Sequence, residues 1–329
     1  MSDSVRVAVV GAGGWGRQHA RAFSQHPDAR LVGIWSRDLG RAETRAAEWH
    51  TSGFNDLDTM IKQTSPDLIS VCLPNTEHFE LTRAMIDRRI PLLVEKPLVF
   101  DLDEGRTLIR EAAELDLFVA INFNHRYAVP VQRCKADLDA GHFGPLSFLT
   151  WRFGGEGSSA HHPYANLIET QCHGVDLLEH LGGRIIAVSA DLTDQDDQHR
   201  TVVATLRFAS GAVGSLVGSY DSSYAYPGTQ LIEVNGRDGR ALIEDTVQRY
   251  TFSAAGDTTR QVWEPGYFDD RGRSFEQTLD AHLDALLPAL VAGEPPPVPA
   301  SAGLRALMVC HAIIRAYQTG RRVEVPDPT

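Results

Sequence analysis

The chain has 329 residues, of which 43% are hydrophobic and 22% charged, and its formal net charge is −12. That length favours two domains over one core, and that composition excludes a disordered chain. An acidic chain without a basic tract argues against nucleic acid or an anionic membrane as partner and for a small molecule.

In the first third, short apolar runs alternate with helical patterns. "VRVAVV" is a buried-strand run ending at Gly11, and "GWGRQHARAFSQH" then reads as a helix. "ARLVGIWS" and "LGRAETRAAEWH" repeat the pair, followed by "DLISVCL", "EHFELTRAMIDRR", "PLLVEKP", "LDEGRTLIREAAELD" and "FVAINFN". Strand and helix alternating at this spacing predict βαβ units and a doubly wound parallel sheet over residues 1–123. From about residue 145 the texture changes to strand-like runs joined by turn signals such as "ASGA" and "NGRDGR". Residues 124–329 are therefore expected to form one α+β domain around an open, mostly antiparallel sheet, closed by two helices flanking "EPPPVPA". No run of about 18 apolar residues predicts a membrane span. The four scattered cysteines suit reduced thiols, and "MSDSVRVAVVGAG" does not read as a signal peptide, so a cytoplasmic location is expected.

Gly11, Gly13 and Gly16 form G-x-G-x-x-G after a strand and at the opening of a helix. That context reads as a dinucleotide site: Gly11 for the tight turn, Gly13 for close approach to a pyrophosphate, Gly16 for packing, and free helix N–H groups for the phosphate. Gly14 and Trp15 lie in the same turn. At the end of the second strand an acid would favour NAD. Here "WSRDLGR" places Ser36 and Arg37 at the tip with Arg41 a turn later, which suits a 2′-phosphate and favours NADP over NAD. Asp38 could take the acid's role if the strand ends one residue later.

The stretch "ETQCHGVDLLEH" spaces Glu169, His173, Asp176 and His180 by four, three and four residues, which puts them on one helix face. A metal site, an acid/base pair and a solvated stripe are all open on spacing alone. Histidine suits proton transfer near neutral pH. Asp176 could equally hold the helix in place. His180, before Gly182 and Gly183, reads as a cation complementing the helix dipole.

With "GAGGWG" ahead of it, "CLPNTEH" between and "HGVDLLEHLGG" after it, "VEKPL" makes the chain resemble the Gfo/Idh/MocA oxidoreductases, the family of glucose-fructose oxidoreductase, inositol dehydrogenase and rhizopine catabolism. "FNHRYAVP", "AGHFGPL" and "AIIRAYQTGRRVEV" extend the resemblance over nearly the whole chain. It implies a Rossmann domain, a second domain that assembles homodimers or homotetramers, and no need of a metal. Lys96 of E-K-P would lie by the nicotinamide and contact the substrate hydroxyl, with a cis peptide before Pro97. His173 would be the acid/base. The family usually has aspartate four residues ahead of it, where this chain has Glu169. Leu73, Pro74, Asn75, His78, Glu95 and Asn124 would complete the cofactor site. Arg126, Tyr127, Tyr164 and Asn166 would join His173 in binding substrate, with His161 and His162 nearby; Asn124 and Arg126 are favoured over His125. The expected activity is NAD(P)-dependent oxidation of a secondary hydroxyl of a sugar, cyclitol or polyol. A glycosidase that oxidises transiently and a non-catalytic dinucleotide sensor are the alternatives. Leu216, Val234 and Leu242 are expected on the open sheet face that joins subunits.

Overall fold

The computed structural model describes residues 4–157, 162–194, 198–268, 272 and 274–327. Two compact units divide the chain, residues 1–122 with 279–304, and residues 123–278 with 305–329. His161 lies outside the described residues.

The first unit runs β1 (Val5–Val10), α1 (Gly14–Gln25), β2 (Ala29–Trp35), α2 (Leu39–Ala47), β3 (Gly53–Phe54), α3 (Leu57–Thr64), β4 (Leu68–Val71), α4 (His78–Asp87), β5 (Leu92–Val94), α5 (Leu102–Glu114) and β6 (Val119–Ile121). Among the described residues its sheet has six strands in the order β3-β2-β1-β4-β5-β6, every pair parallel. The apolar runs of β1, β4 and β5 are buried because helices cover both faces. The order reverses between β1 and β4, and ligands of such sheets bind outside the carboxyl ends of the strands there.

The second unit begins with α6 (Val129–Asp139), β7 (Leu146–Gly154) and α7 (Cys172–Gly182). It continues through β8 (Ile185–Leu192), β9 (Thr201–Phe208), β10 (Val213–Ser219), β11 (Gln230–Gly236), β12 (Gly239–Glu244), β13 (Arg249–Ala254) and β14 (Gln261–Trp263). After these come α8 (Gln277–Ala292), α9 (Ala300–Thr319) and β15 (Val323–Glu324). Among the described residues the second sheet has nine strands, β14-β13-β12-β11-β7-β10-β9-β8-β15, antiparallel except for β7 with β10.

The expected boundary after residue 123 marks only the first crossing, because α8 returns to the first unit. Its Leu279, Leu283, Leu286 and Leu287 recur at helical spacing and enter the core with Val7, Phe23 and Ile34. Periodicity shows that a helix has a buried face, not which core receives it. The subunit face also needs correction. Leu216 pairs with Trp151 and Val234 with Leu149 on the buried side of the sheet, whereas Leu242 lies opposite Glu233 on the other side. Strand period assigns residues to two faces; where both carry apolar residues it does not say which one the helices cover.

Candidate active site

In the first unit β1 ends at Gly11, whose φ of 122° is open to glycine. A Cβ at Gly11 would stand 2.1 Å from the Cys72 carbonyl oxygen, and one at Gly16 would stand 1.8 Å from the Gly11 oxygen. Both are therefore glycine so that the turn and α1 can pack closely. A Cβ at Gly13 or Gly14 would meet nothing within 4 Å. Gly13 caps α1 without a side-chain hydrogen bond. The uncapped first turn borders a groove that is also lined by Trp15, by Trp35 at the end of β2, by Ser36, Arg37, Asp38 and Arg41 beyond it, and by Cys72, Leu73, Pro74 and Glu77 after β4. Free N–H groups at a helix start beside open space suit a pyrophosphate. β2 stops at Trp35, and Asp38 caps α2 by accepting from the Arg41 N–H at 3.1 Å. Asp38 is thus engaged by its own helix.

Several expected cofactor residues sit elsewhere. Asn75 opens a single 3₁₀ turn (Asn75–Glu77) and is absent from the groove lining. His78 is fully buried, with Nδ1 2.8 Å from the Pro97 carbonyl and Nε2 3.0 Å from the Leu73 carbonyl. It ties the loop after β4 to the E-K-P loop; burial lowers its pKa in spite of the carbonyls. Asn124 belongs to the second unit, where its amide donates to Thr278 Oγ1 at 2.7 Å.

Glu95 is buried as well, inside a polar network. Its Oε1 accepts from His19 Nε2 at 2.8 Å and from Asn122 Nδ2 at 2.6 Å, and its Oε2 accepts from the Lys96 N–H at 3.2 Å. His19 Nδ1 donates to Ser70 Oγ at 2.7 Å, and His282 of α8 donates to Asn122 Oδ1 at 3.0 Å. Glu95 therefore fixes the start of the cis Lys96–Pro97 peptide, and Lys96 is half-buried. Burial alone would lower the His19 pKa, but the Cys72 sulfur and the Glu95 carboxylate push it up to about 10. Burial works against the Glu95 charge, and His19, Lys96 and Asn122 hold its pKa below the ordinary range.

A raised histidine stabilises the fold fully below its unfolded value of 6.5 and loses that contribution as pH climbs towards about 10. The depressed Glu95 contributes above its ordinary 4.5 and loses that contribution in acid. Urea unfolding at a series of pH values should thus show stability declining from pH 6.5 towards 10, and His19→Gln should flatten that alkaline limb. An unchanged slope in the variant would remove His19 as its source.

In the second unit one π-helical turn, Asn166–Thr170, precedes α7. A π turn is wider than an α turn and is frequent at functional sites. It takes Glu169 out of the regular spacing, so the expected face of four residues is continuous only from His173 to His180. Gly174 lets α7 approach β7, since a Cβ there would stand 2.4 Å from the Trp151 indole nitrogen. That nitrogen donates to Gln171 Oε1 at 2.8 Å and pins the helix start.

His173 is buried, and its ring stacks on His125 with centroids 4.0 Å apart and an interplanar angle of 18°. Phe123 meets the His173 ring edge-on at 5.9 Å, and Phe275 meets His125 at 5.0 Å. Behind His125, Gln230 Nε2 lies 3.5 Å from Nδ1, and Gln230 Oε1 accepts from Thr246 Oγ1 at 2.5 Å. His125, ranked below its neighbours on sequence, is the residue of "NHRY" that touches the candidate acid/base. Arg126 instead forms a two-pronged pair with Asp176, at 2.8 and 2.5 Å. Burial lifts the Asp176 pKa although Arg126 opposes the shift, so this pair fixes position more than it adds stability. Asp176 and Arg126 are thus each other's charged partners.

The cation expected at His180 is not what the structure holds. Burial, with Arg126 and Lys135 nearby, lowers its pKa to about 4, so the ring is neutral at pH 7. Asn166 is buried, donating to the Arg200 and Gly218 carbonyls and accepting from Gln171, which leaves it holding the π turn. Tyr164 stacks on His199 at 4.5 Å, and its hydroxyl accepts from Gln318. Burial pushes the half-buried Tyr127 up to about 12. Tyr220, not anticipated, shares a 2.8 Å hydrogen bond with Thr170; burial raises its pKa to about 12, and Glu169 adds to the rise. Among the described residues no three His, Cys, Asp or Glu side chains converge as metal ligands do, and no helix is long and apolar enough to cross a membrane.

Comparison with known proteins adds an independent line. The chain is 29% identical over 153 residues to D-glucoside 3-dehydrogenase of Escherichia coli, a match spanning 46% of this chain and 44% of that protein. It is 24% identical to the myo-inositol 2-dehydrogenase of Thermotoga maritima, over 98% of this chain and 99% of that one. A solved levoglucosan dehydrogenase in complex with NADH and levoglucosan has the same fold, with a TM-score of 0.91 at 18% identity over 99% of this chain and 100% of that one. Residues 5–123 match the oxidoreductase-family model for an NAD-binding Rossmann fold, and residues 147–325 match that family's C-terminal α/β domain. The chain therefore belongs to the Gfo/Idh/MocA oxidoreductase family.

Proposed function

We propose that the protein transfers a hydride between a nicotinamide dinucleotide, NADP in preference to NAD, and a secondary hydroxyl-bearing carbon of a sugar, cyclitol or polyol. The observation that carries this reading is the groove at the uncapped start of α1, where Gly13 and Gly14 leave the backbone open. The relatives' names, glucoside and inositol dehydrogenases, support the substrate class. The bound nicotinamide would supply the hydride acceptor; the remaining work falls to this chain. His173 removes the hydroxyl proton through Nε2, since its Nδ1 is buried. Lys96, on the E-K-P loop of the first unit, stabilises negative charge that develops on a substrate oxygen. Glu169 reads a neighbouring hydroxyl or orients the imidazole, its extra methylene shifting which hydroxyl is presented. His125 keeps the His173 ring in plane. Ser36, Arg37 and Arg41 favour the 2′-phosphate, helped by the engagement of Asp38 in capping α2. The second unit's open face, with Leu242, Val203 and Val213, would join copies of the chain.

The test is a panel of inositols, aldoses and glycosides, each assayed with NADP and with NAD for net nicotinamide reduction. Reduction with a polyhydroxy substrate, stronger with NADP, is the expected result. Glycoside cleavage without net reduction would replace this reading with a glycosidase. Dinucleotide binding with no turnover on any member would replace it with a sensor.

A further inference from the structure

Asp38, the acid just after β2, caps its own helix, and the groove contains a second acid. Glu77 ends the 3₁₀ turn Asn75–Glu77 after β4 and lines the same groove as Gly13, Ser36 and Arg37. Its Oε1 accepts from the Arg37 guanidinium at 2.7 Å. We propose that Glu77 sets the NADP-to-NAD preference of this protein, by competing with a 2′-phosphate for Arg37. This inference rests on the dinucleotide reading above and goes beyond it, because it moves the discriminating acid from β2 to the loop after β4.

Both partners stand on fixed backbone. Glu77 donates its N–H to the Pro74 carbonyl at 2.8 Å and is followed at once by His78, which is clamped between the Leu73 and Pro97 carbonyls. Arg37 lies between the end of β2 and Asp38, the cap of α2. The Glu77 side chain is 24% exposed and that of Arg37 is 71% exposed. The carboxylate is thus the more enclosed partner and the guanidinium the one that solvent or a ligand reaches. An exposed ion pair contributes little to folding, so the pair is easily exchanged. Its charge still matters to a ligand. Of the cations on this rim, Arg37 is held by Glu77, so a dianionic 2′-phosphate must displace a carboxylate to reach it. A ribose 2′-hydroxyl suffers no such repulsion and can donate to a carboxylate. Glu77 therefore narrows the preference that Ser36, Arg37 and Arg41 create.

The adenosine half of the cofactor isolates this effect from catalysis. Calorimetry with 2′,5′-ADP and with ADP measures the phosphate's contribution, and NADPH and NADH repeat it with the whole dinucleotide. Removing one nearby negative charge with Glu77→Gln should tighten 2′,5′-ADP and NADPH by roughly threefold to thirtyfold while leaving ADP and NADH unchanged or weaker. Glu77→Ala should do the same, and the gain should shrink at high salt. Since the competition acts through Arg37, the gain should fall below about twofold when Arg37→Ala is already present. An unchanged 2′,5′-ADP-to-ADP ratio in both Glu77 variants overturns the inference, as does a gain that persists undiminished without Arg37. If the parent protein bound neither ADP nor NADH, the dinucleotide reading itself would fail. That outcome is distinct from binding with no change at Glu77.

Discussion

His173→Ala is expected to lower turnover by roughly two to four powers of ten, the range for a positioned acid/base, while the cofactor Kd stays unchanged. The ring belongs to the second unit and is not among the residues that line the groove, so its loss should not disturb dinucleotide binding. Lys96→Ala should fall in the same range, because a lost ammonium leaves the developing alkoxide unstabilised. His180→Ala is the control. A ring whose pKa burial lowers to about 4 is too weak a base to take the hydroxyl proton at pH 7. Turnover measured with saturating cofactor, beside cofactor titration by fluorescence, separates the cases. Should His180→Ala prove as damaging as His173→Ala, the assignment of the proton to His173 fails. His125→Phe keeps an aromatic ring against His173 and should retain more activity than His125→Ala.

The second large effect concerns stability. Asp176→Ala strands the mostly buried Arg126 guanidinium without its carboxylate, and breaking such a pair costs about 3–5 kcal/mol. Urea unfolding should show a lower midpoint by that amount. Replacing both partners with apolar residues, Arg126→Met with Asp176→Leu, should recover most of the loss, since neither charge is then buried alone. The double variant also separates the two roles once open for Asp176. If it restores stability and most of the turnover, the pair positions α7. If Asp176→Ala is as stable as the parent, the pair has no such role.

Much of this molecule is legible in its residues. The βαβ alternation, the glycine turn after β1 and the shift to strand-rich texture near residue 145 all rest on local pattern: apolar periodicity and turn chemistry repeat within a few residues. The groove at Gly11, Gly13, Gly14, Trp15, Ser36, Arg37 and Arg41 belongs to the same class, because a turn and the helix it opens are neighbours in sequence. The E-K-P and H-x-x-D patterns point to Lys96 and His173 for a different reason: they match a family, and no spacing rule alone would have chosen them.

What the sequence left undecided involves partners distant along the chain. His19, Glu95, Asn122 and His282 form one network across 263 positions; on the helix pattern of "GWGRQHARAF" His19 is one polar residue among several. Glu77 reads as a surface acid until the groove brings it to Arg37. His78, Asn166, Asp176 and Arg126 have the chemistry of ligand-binding residues, and only their bonded partners show that they hold loops and helices in place. A polar side chain buried in a folded protein must find a hydrogen-bonding partner. Sequence names the residues that carry this demand, but only the tertiary structure decides which of them meet it within the protein and which are left to meet it with a ligand.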